Sequence, residues 1–433
     1  MWNFTKSFTF GTYKIHPKKS TITFTYRVKF KFGFFKTFKD ELILADVPRK
    51  AWDKVPKEIL EPTLQALLLI IGINYWCVFR TRDIRIKNFS LTQEQAKFWD
   101  ELYLNGLAEF FYCMRIDFRE LIAFPYDENA ETPPPGRFSP PDRSLLLNGA
   151  GKDSILSAEI LKASGKVFDF FSFSPSPAHT RIGKLVGANT IRVYRNYDSW
   201  IRVFPGAYPS VSTFTFVATL LAELLGYREI VFSNEKSADI GNLNYLGLPV
   251  NHQWCKSSVA EKMINDYIQK YITPDISTHS LLRKYSELEI VKHFLRYPQY
   301  LHDVTSCNNY FCLSPFHQSL VRKNYWCNRC PKCIFLFACF SAFLPKKELV
   351  SIFGSNLYSK NHLLPLFKSI LGVSGTKPLD CVGEPEEMIL AMHYASRRGE
   401  YSDEPIMKFF EEHFSTGYDF DEMARRVFSN EEK

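Results

Sequence analysis

Ser144-Leu145-Leu146-Leu147 is a short apolar run, Asn148-Gly149-Ala150-Gly151 follows it, and Lys152-Asp153-Ser154 leads into a helical pattern over residues 155–162. This is the order of a buried strand, a glycine turn and a helix start. Glycines let the backbone come close to a ligand, and the first N–H groups of a helix attract anionic oxygens. Residues Asn148, Gly149, Ala150, Gly151, Lys152, Asp153 and Ser154 therefore read as a cradle for a phosphate or pyrophosphate. The Walker spacing is absent, because an Asp stands between Lys152 and Ser154 and no glycine precedes them at the required distance.

The surrounding pattern supports that reading. From about residue 142 to residue 250, short apolar strands (166–173, 190–194, 228–232) alternate with helices such as 214–225, which Gly226 ends. Alternation of this kind predicts βα units with helices on both faces of a sheet, and ligands bind beyond the C-terminal ends of its strands. Both the Asn148 loop and Ser233-Asn234-Glu235-Lys236-Ser237 fall at such ends. Upstream, Thr21 to Phe30 alternates as a half-buried strand. Residues 63–71 read as a helix opened by Pro62, 74–79 as an aromatic, β-branched strand, and 94–111 as a helix with Trp99, Leu102 and Leu107 in the core. Glu131-Thr132-Pro133-Pro134-Pro135-Gly136 is a turn-rich linker. Downstream the chain is mostly helical.

A length of 433 residues suggests two or three domains. The formal charge of +8 suits an anionic partner without choosing among nucleotide, pyrophosphate and RNA. There is no long Lys/Arg block, so no stable nucleic-acid partner is expected. Residues 1–6 lack the order of a secretory signal. The longest apolar stretches, 66–79 and 333–344, fall short of the roughly 20 residues of a membrane span, so they read as core and no membrane insertion is expected.

Six of the ten cysteines cluster: Cys307, Cys312, Cys327, Cys330, Cys333 and Cys339. Such a distribution suits a local metal site in a reducing compartment better than a disulfide scaffold, which points to the cytoplasm. Cys327-Asn328-Arg329-Cys330-Pro331-Lys332-Cys333 spaces three thiolates to turn inward onto one tetrahedral ion. Cys307 is the candidate fourth ligand, and Cys312 the substitute. Structural zinc is the first expectation and an iron–sulfur cluster the second. Cys339 and Cys77 read as core residues.

Several of these segments resemble known families. The Lys-Asp-Ser ending of the loop resembles the pyrophosphate loop of the ATP pyrophosphatases. The strict form opens with Ser-Gly-Gly, and Gly149 and Ala150 stand in its first two places. A pyrophosphate loop followed by one Cys and then Cys-x-x-Cys-x-x-Cys is similar to the zinc-bearing deazaguanine-nitrile synthases among them. More narrowly, residues 104–110, 233–238, 250–257, 326–333 and 377–383 resemble the UDP-N-acetyl-alpha-D-muramoyl-L-alanyl-L-glutamate epimerases, the MurL family. Cys255 departs from that pattern, which has a small polar residue, usually Ser, at its place.

The resemblance implies an α/β core of the ATP-pyrophosphatase, adenine nucleotide alpha hydrolase-like type over residues 140–345, including the cysteine cluster. An α+β domain over 1–130 and a mainly helical region over 346–433 would flank it. It also implies an ATP- and magnesium-dependent isomerase of peptidoglycan precursor synthesis, which inverts the terminal L-glutamate of UDP-MurNAc-L-Ala-L-Glu. Adenylation would remove the carboxylate charge that resists loss of the α-proton, and AMP and pyrophosphate would leave. Within that scheme Lys152 neutralises pyrophosphate charge and Asp153 holds magnesium through oxygen ligation. Asn234 and Glu235 contact magnesium, ribose or a substrate amide, or simply form a surface turn. For the proton steps His252 is the first candidate, with Cys255 or Lys256 on the opposite face. The competing reading is an enzyme that adenylates an RNA or modified-base carbonyl for sulfur or nitrogen insertion, with Cys255 as its reactive sulfur.

Overall fold

The structure, a computed structural model, describes residues 4–198, 201, 208–312, 315–321, 324–375 and 377–428. Eleven strands are defined among them. They are β1 (Thr5–His16), β2 (Thr21–Phe30), β3 (Phe35–Leu44), β4 (Ile84–Ile86), β5 (Ser144–Leu147), β6 (Phe168–Phe173), β7 (Thr190–Tyr197), β8 (Glu229–Phe232), β9 (Leu243–Tyr245), β10 (Leu248–Val250) and β11 (Ser277–Ser280). Nine of them make one mixed sheet in the order β11-β8-β5-β6-β7-β3-β2-β1-β4, and β9 and β10 make a separate hairpin. One half, β11 through β7, is parallel, while β7 to β3, β3 to β2 and β2 to β1 are antiparallel. The region beyond residue 303 is helical among its described residues.

The order of the parallel half decides where a ligand can sit. Its first strand in the chain, β5, lies in the middle. The next two, β6 and β7, extend to one side, and β8 and β11 to the other. Connections leaving a central strand in opposite directions open a crevice beyond the strand ends, at the point where the order reverses. The Asn148 loop follows β5 and the Ser233 segment follows β8, so both border that crevice.

Buried ion pairing marks the seam between the parallel and antiparallel halves. Arg195 on β7 pairs with the fully buried Asp40 of β3 at 2.7 Å and reaches the Asn74 side chain at 2.9 Å. Asn74 belongs to the helix Lys57–Phe79, which covers the antiparallel half. There β2 alternates as expected and turns Ile22, Phe24, Tyr26 and Val28 inward.

That helix corrects the expectation for this segment. Residues 74–79 are not a strand but its last turns, and it starts at Lys57, with Pro62 inside rather than at its opening. Aromatic and β-branched content suggested a strand, but a helix buried on all sides loses its amphipathic period and looks the same over so short a run. Tyr75, Trp76 and Cys77 are all fully buried, and Tyr26 and Tyr103 donate to the Leu68 and Leu69 carbonyls at 3.0 and 2.6 Å. The apolar stretch 66–79 is thus the second half of a helix of 23 residues, long and apolar enough to cross a membrane but mostly buried inside the protein. The helix expected over 94–111 is likewise two, Gln93–Gly106 and Ala108–Cys113, broken at Leu107.

Gly72 shows how closely the helix is packed. A Cβ there would stand 2.4 Å from the Phe10 ring and 2.7 Å from that of Tyr26. Gly to Ala inside a helix ordinarily stabilises by roughly 0.5–1 kcal/mol. At this position overpacking reverses the sign, and Gly72→Ala is expected to destabilise by about 1–3 kcal/mol, read as a lower midpoint in urea unfolding.

Candidate active site

The Asn148 loop is built as its sequence suggests, with one strained position. Asn148 Nδ2 donates to the His179 carbonyl at 3.1 Å, and its Oδ1 accepts from the Ala150 N–H at 2.9 Å. Ala150 is held at φ 55°, in the left-handed region where glycine is the unstrained residue, and its side chain is fully buried. Gly151 is the N-cap of the helix Lys152–Ala163, and a Cβ on it would meet Ser306 Oγ at 2.8 Å. At Gly149 a Cβ would meet nothing within 4 Å, so the loop faces open space there. Ser154 Oγ donates back to the Gly151 carbonyl at 3.1 Å and stiffens the turn. Ser157 and Ser233 hydroxyls meet at 2.8 Å and tie this helix to the end of β8.

Lys152 points into the protein. Its ammonium pairs with both Asp153 and Glu287, and Glu287 also takes Lys332 at 3.4 Å. Lys152 and Glu287 are almost fully buried, and Lys332 nearly so. Burial opposes the charge on both lysines, but Asp153 and Glu287 hold Lys152, and Glu287 and Cys381 hold Lys332, well above the ordinary lysine value. Burial likewise opposes the Glu287 charge, and the two lysines overcome it and keep it ionised.

A second group lies beside the first. Lys256 Nζ reaches Cys381 Sγ at 3.2 Å, and His252 Nδ1 pairs with Glu109 Oε2 at 2.6 Å. Burial lowers His252, but its contacts with Cys381 and Glu109 prevail and raise it to about 10. Burial lowers Lys256, and Cys381 and Glu235 raise it further than that. Cys255 lies next to them, its thiol pushed up by burial. Arg283 fixes the backbone on both sides, donating to the Glu235 carbonyl at 3.1 Å and the Lys256 carbonyl at 2.6 Å. Glu235 is buried and its Oε1 has no hydrogen-bond partner, while the Asn234 carbonyl accepts from Ser280 Oγ at 2.7 Å.

Cys307, Cys327, Cys330 and Cys333 are buried and free of disulfides, and their four Sγ atoms all lie within 4.8 Å of one another. Separations of 3.7 Å (Cys327 to Cys333) and 3.4 Å (Cys330 to Cys333) are close to the about 3.8 Å edge of a tetrahedron with Zn–S bonds of about 2.3 Å. The quartet therefore fits a single zinc-like ion. Cys312 is outside it. Cys330 caps the helix Pro331–Ser341, so Lys332, which lies between Cys330 and Cys333 in the chain, is carried straight from the cysteine quartet into the charge cluster.

Glu109, Glu287, Lys332 and Cys381 were not singled out from sequence. Three of them lie inside segments that carried the family resemblance (104–110, 326–333, 377–383), and that was the available signal. Glu287 opens the helix Glu287–Phe294 and lies outside all of those segments.

A family model described as the MurL N-terminal domain matches residues 2–281, and one described as the MurL C-terminal domain matches 303–424. The chain belongs to the MurL family. Among curated relatives, the UDP-N-acetyl-alpha-D-muramoyl-L-alanyl-L-glutamate epimerase of Xanthomonas oryzae pv. oryzae is 31% identical over 366 residues, covering 81% of this chain and 78% of its own. The Micromonospora protein of the same name is 29% identical, covering 93% of this chain and 89% of its own. In this MurL-family chain, then, the segments that resemble the family meet around one crevice.

Two outcomes follow. Glu287→Gln would leave two buried lysines without their shared counter-charge and is expected to cost about 3–5 kcal/mol in equilibrium unfolding. Elemental analysis of purified protein should find close to one zinc per chain, and Cys330→Ser should lose it together with thermal stability.

Proposed function

We propose that the chain inverts the terminal L-glutamate of UDP-MurNAc-L-Ala-L-Glu to D-glutamate, with ATP as co-substrate that activates the glutamyl carboxylate as its adenylate. Membership of the MurL family and the activity its relatives are named for support the epimerisation. The observation that carries the ATP half is the loop at the reversal point of the sheet, with open space over Gly149. On this reading the core over 140–345 is of the ATP-pyrophosphatase type, flanked by the 1–130 and 346–433 regions.

Each residue then has a task. N–H groups at Gly149, Gly151 and the first turn beyond would take phosphate oxygens, and Lys152 lends positive charge from beneath the loop. Asp153 is half-buried at the loop edge, and with Glu235 it offers carboxylate oxygens for magnesium, which would supply charge neutralisation at the departing pyrophosphate. His252, held as a cation by Cys381 and Glu109, is not suited to taking the α-proton. The competing RNA or modified-base reading needs a reactive sulfur at Cys255, and burial keeps that thiol protonated.

Incubation with ATP, magnesium and UDP-MurNAc-L-Ala-L-Glu in deuterated water tests both halves. Expected are substrate-dependent AMP and pyrophosphate, and D-glutamate carrying deuterium at Cα. Inversion without AMP would end the ATP half, and inversion that leaves Cα unlabelled would end the proton-transfer route. Asp153→Asn should slow pyrophosphate release by roughly 10²–10³-fold, with a raised magnesium requirement.

A further inference from the structure

Cys381 belongs to none of the expected sites, yet the fold surrounds its sulfur with ionisable groups brought from distant parts of the chain. Lys256 donates to Sγ at 3.2 Å. A side-chain nitrogen of His252, a carboxylate oxygen of Asp380 and Cys381 Sγ lie within 4.8 Å of one another. The His252 ring is held from its other side by Glu109, at 2.6 Å. Asp380 is engaged elsewhere: its carboxylate takes the Asn308 amide at 2.7 Å and the Cys381 N–H at 2.7 Å. The sulfur is therefore opposed by two cations while its neighbouring acid is occupied. The segment itself is anchored, since Asn242 Nδ2 donates to the Pro378 carbonyl at 3.3 Å and Asn242 Oδ1 accepts from the His252 N–H at 2.9 Å.

A second observation marks this place as a binding site rather than a packed core. Glu235 is only 4% exposed, its Oε1 has no hydrogen-bond partner, and its charge acts on Lys256, the residue that touches Cys381. A buried carboxylate oxygen left without a donor beside a cationic group is placed to meet a ligand group or an ion.

We infer that the Cys381 thiolate, seated between Lys256 and the Glu109-supported imidazole of His252, is the base that removes the glutamyl α-proton. The inference rests on the epimerase reading above and adds its base. In the step, the Cα–H bond breaks, the proton passes to Sγ and forms the thiol, and the electron pair spreads into the adjacent activated carbonyl. A solvent-derived proton delivered to the opposite face of Cα completes the inversion, the thiol returns its proton to water, and water then cleaves the acyl–phosphate bond to free the D-glutamyl carboxylate and AMP. Nothing is oxidised or reduced. Lys256, His252 and Glu109 are positioning residues: they hold the sulfur as an anion and aim it.

The electrostatics agree with the geometry. Burial raises the Cys381 thiol, but Lys256 and His252, with Lys332 behind them, more than offset this and bring it down to about 7. A base is most useful when its pKa lies near the working pH. The groups facing the sulfur are Lys256, His252, Lys332, Asp380 and Cys255, with Glu109 and Glu235 behind the cations.

The test uses the full-length, metal-loaded protein with ATP, magnesium and UDP-MurNAc-L-Ala-L-Glu in deuterated water. It follows pyrophosphate release and α-deuterium incorporation separately, in the wild type, Cys381→Ser and Cys381→Ala. Expected is a fall of roughly 10²–10⁴-fold in deuterium incorporation and D-glutamate formation, with pyrophosphate still released. In the wild type the exchange rate should drop below a pH near the thiol value, because the protonated sulfur cannot accept, and Lys256→Met should move that limb to higher pH. Exchange within tenfold of wild type in both Cys381 variants overturns the inference. So does loss of pyrophosphate release together with exchange, which would make Cys381 a structural or ATP-side residue, and so does a limb unmoved by Lys256→Met. A wild type that exchanges the α-proton without releasing pyrophosphate would remove the ATP reading alone, and the Cys381 comparison would still decide the base.

Discussion

One buried carboxylate organises the centre of the molecule. Glu287 sits between the ammonium groups of Lys152 and Lys332, and each partner comes from a different element: the loop after β5, the helix start after β11, and the helix that leaves the cysteine quartet. Burying three charges is costly unless each is compensated in good geometry. Here the compensation is arithmetic as well as geometric, since Asp153 adds the second negative charge against two lysines. The arrangement exists only when all three elements are in place, which makes the charge cluster a check on their register.

The cysteine quartet acts on the same cluster from behind. Lys332 lies between the ligand pair Cys330 and Cys333 in the chain, so fixing those two sulfurs fixes the backbone from which it extends. A closed, all-thiolate site has no open coordination position for chemistry. Its consequence is positional: it holds a cation rigidly under the crevice, with a carboxylate below and Cys381 within electrostatic range.

Much of the parallel half was legible from sequence because short apolar strands bounded by glycine have few alternatives. The Asn148 loop, the Ser233 turn and three of the four quartet cysteines follow from local spacing alone. The long helix over Lys57–Phe79 was not legible in full, because a helix buried on every face has no period to read. The pairing of β3 with β7, which joins strands about 150 residues apart into one sheet, leaves no local trace either; its buried Arg195–Asp40 pair is seen only once the strands meet. Cys381, Glu109 and Glu287 share that fate. Each is ordinary in its own segment, and its chemistry comes from partners between about 45 and 145 residues away.

The conformation of Ala150 is the clearest case in which local preference yields to the site. A left-handed φ of 55° costs an alanine roughly 1–2 kcal/mol that a glycine would not incur. The strain is held by neighbours on both sides: the Ala150 N–H is bonded to Asn148 Oδ1, its carbonyl accepts from the Thr305 N–H at 3.3 Å, and its methyl is buried in the core. Thr305 in turn receives the Cys307 N–H on its hydroxyl at 3.2 Å. The loop that faces the crevice is thereby coupled through Thr305 to Cys307 of the cysteine quartet. A glycine would relax the turn but would give up the buried methyl that locks it. On the proposed reading of the loop as a phosphate cradle, alanine in place of glycine is an exchange of backbone freedom for a fixed loop, which is the condition a cradle of N–H groups needs in order to be organised before its ligand arrives.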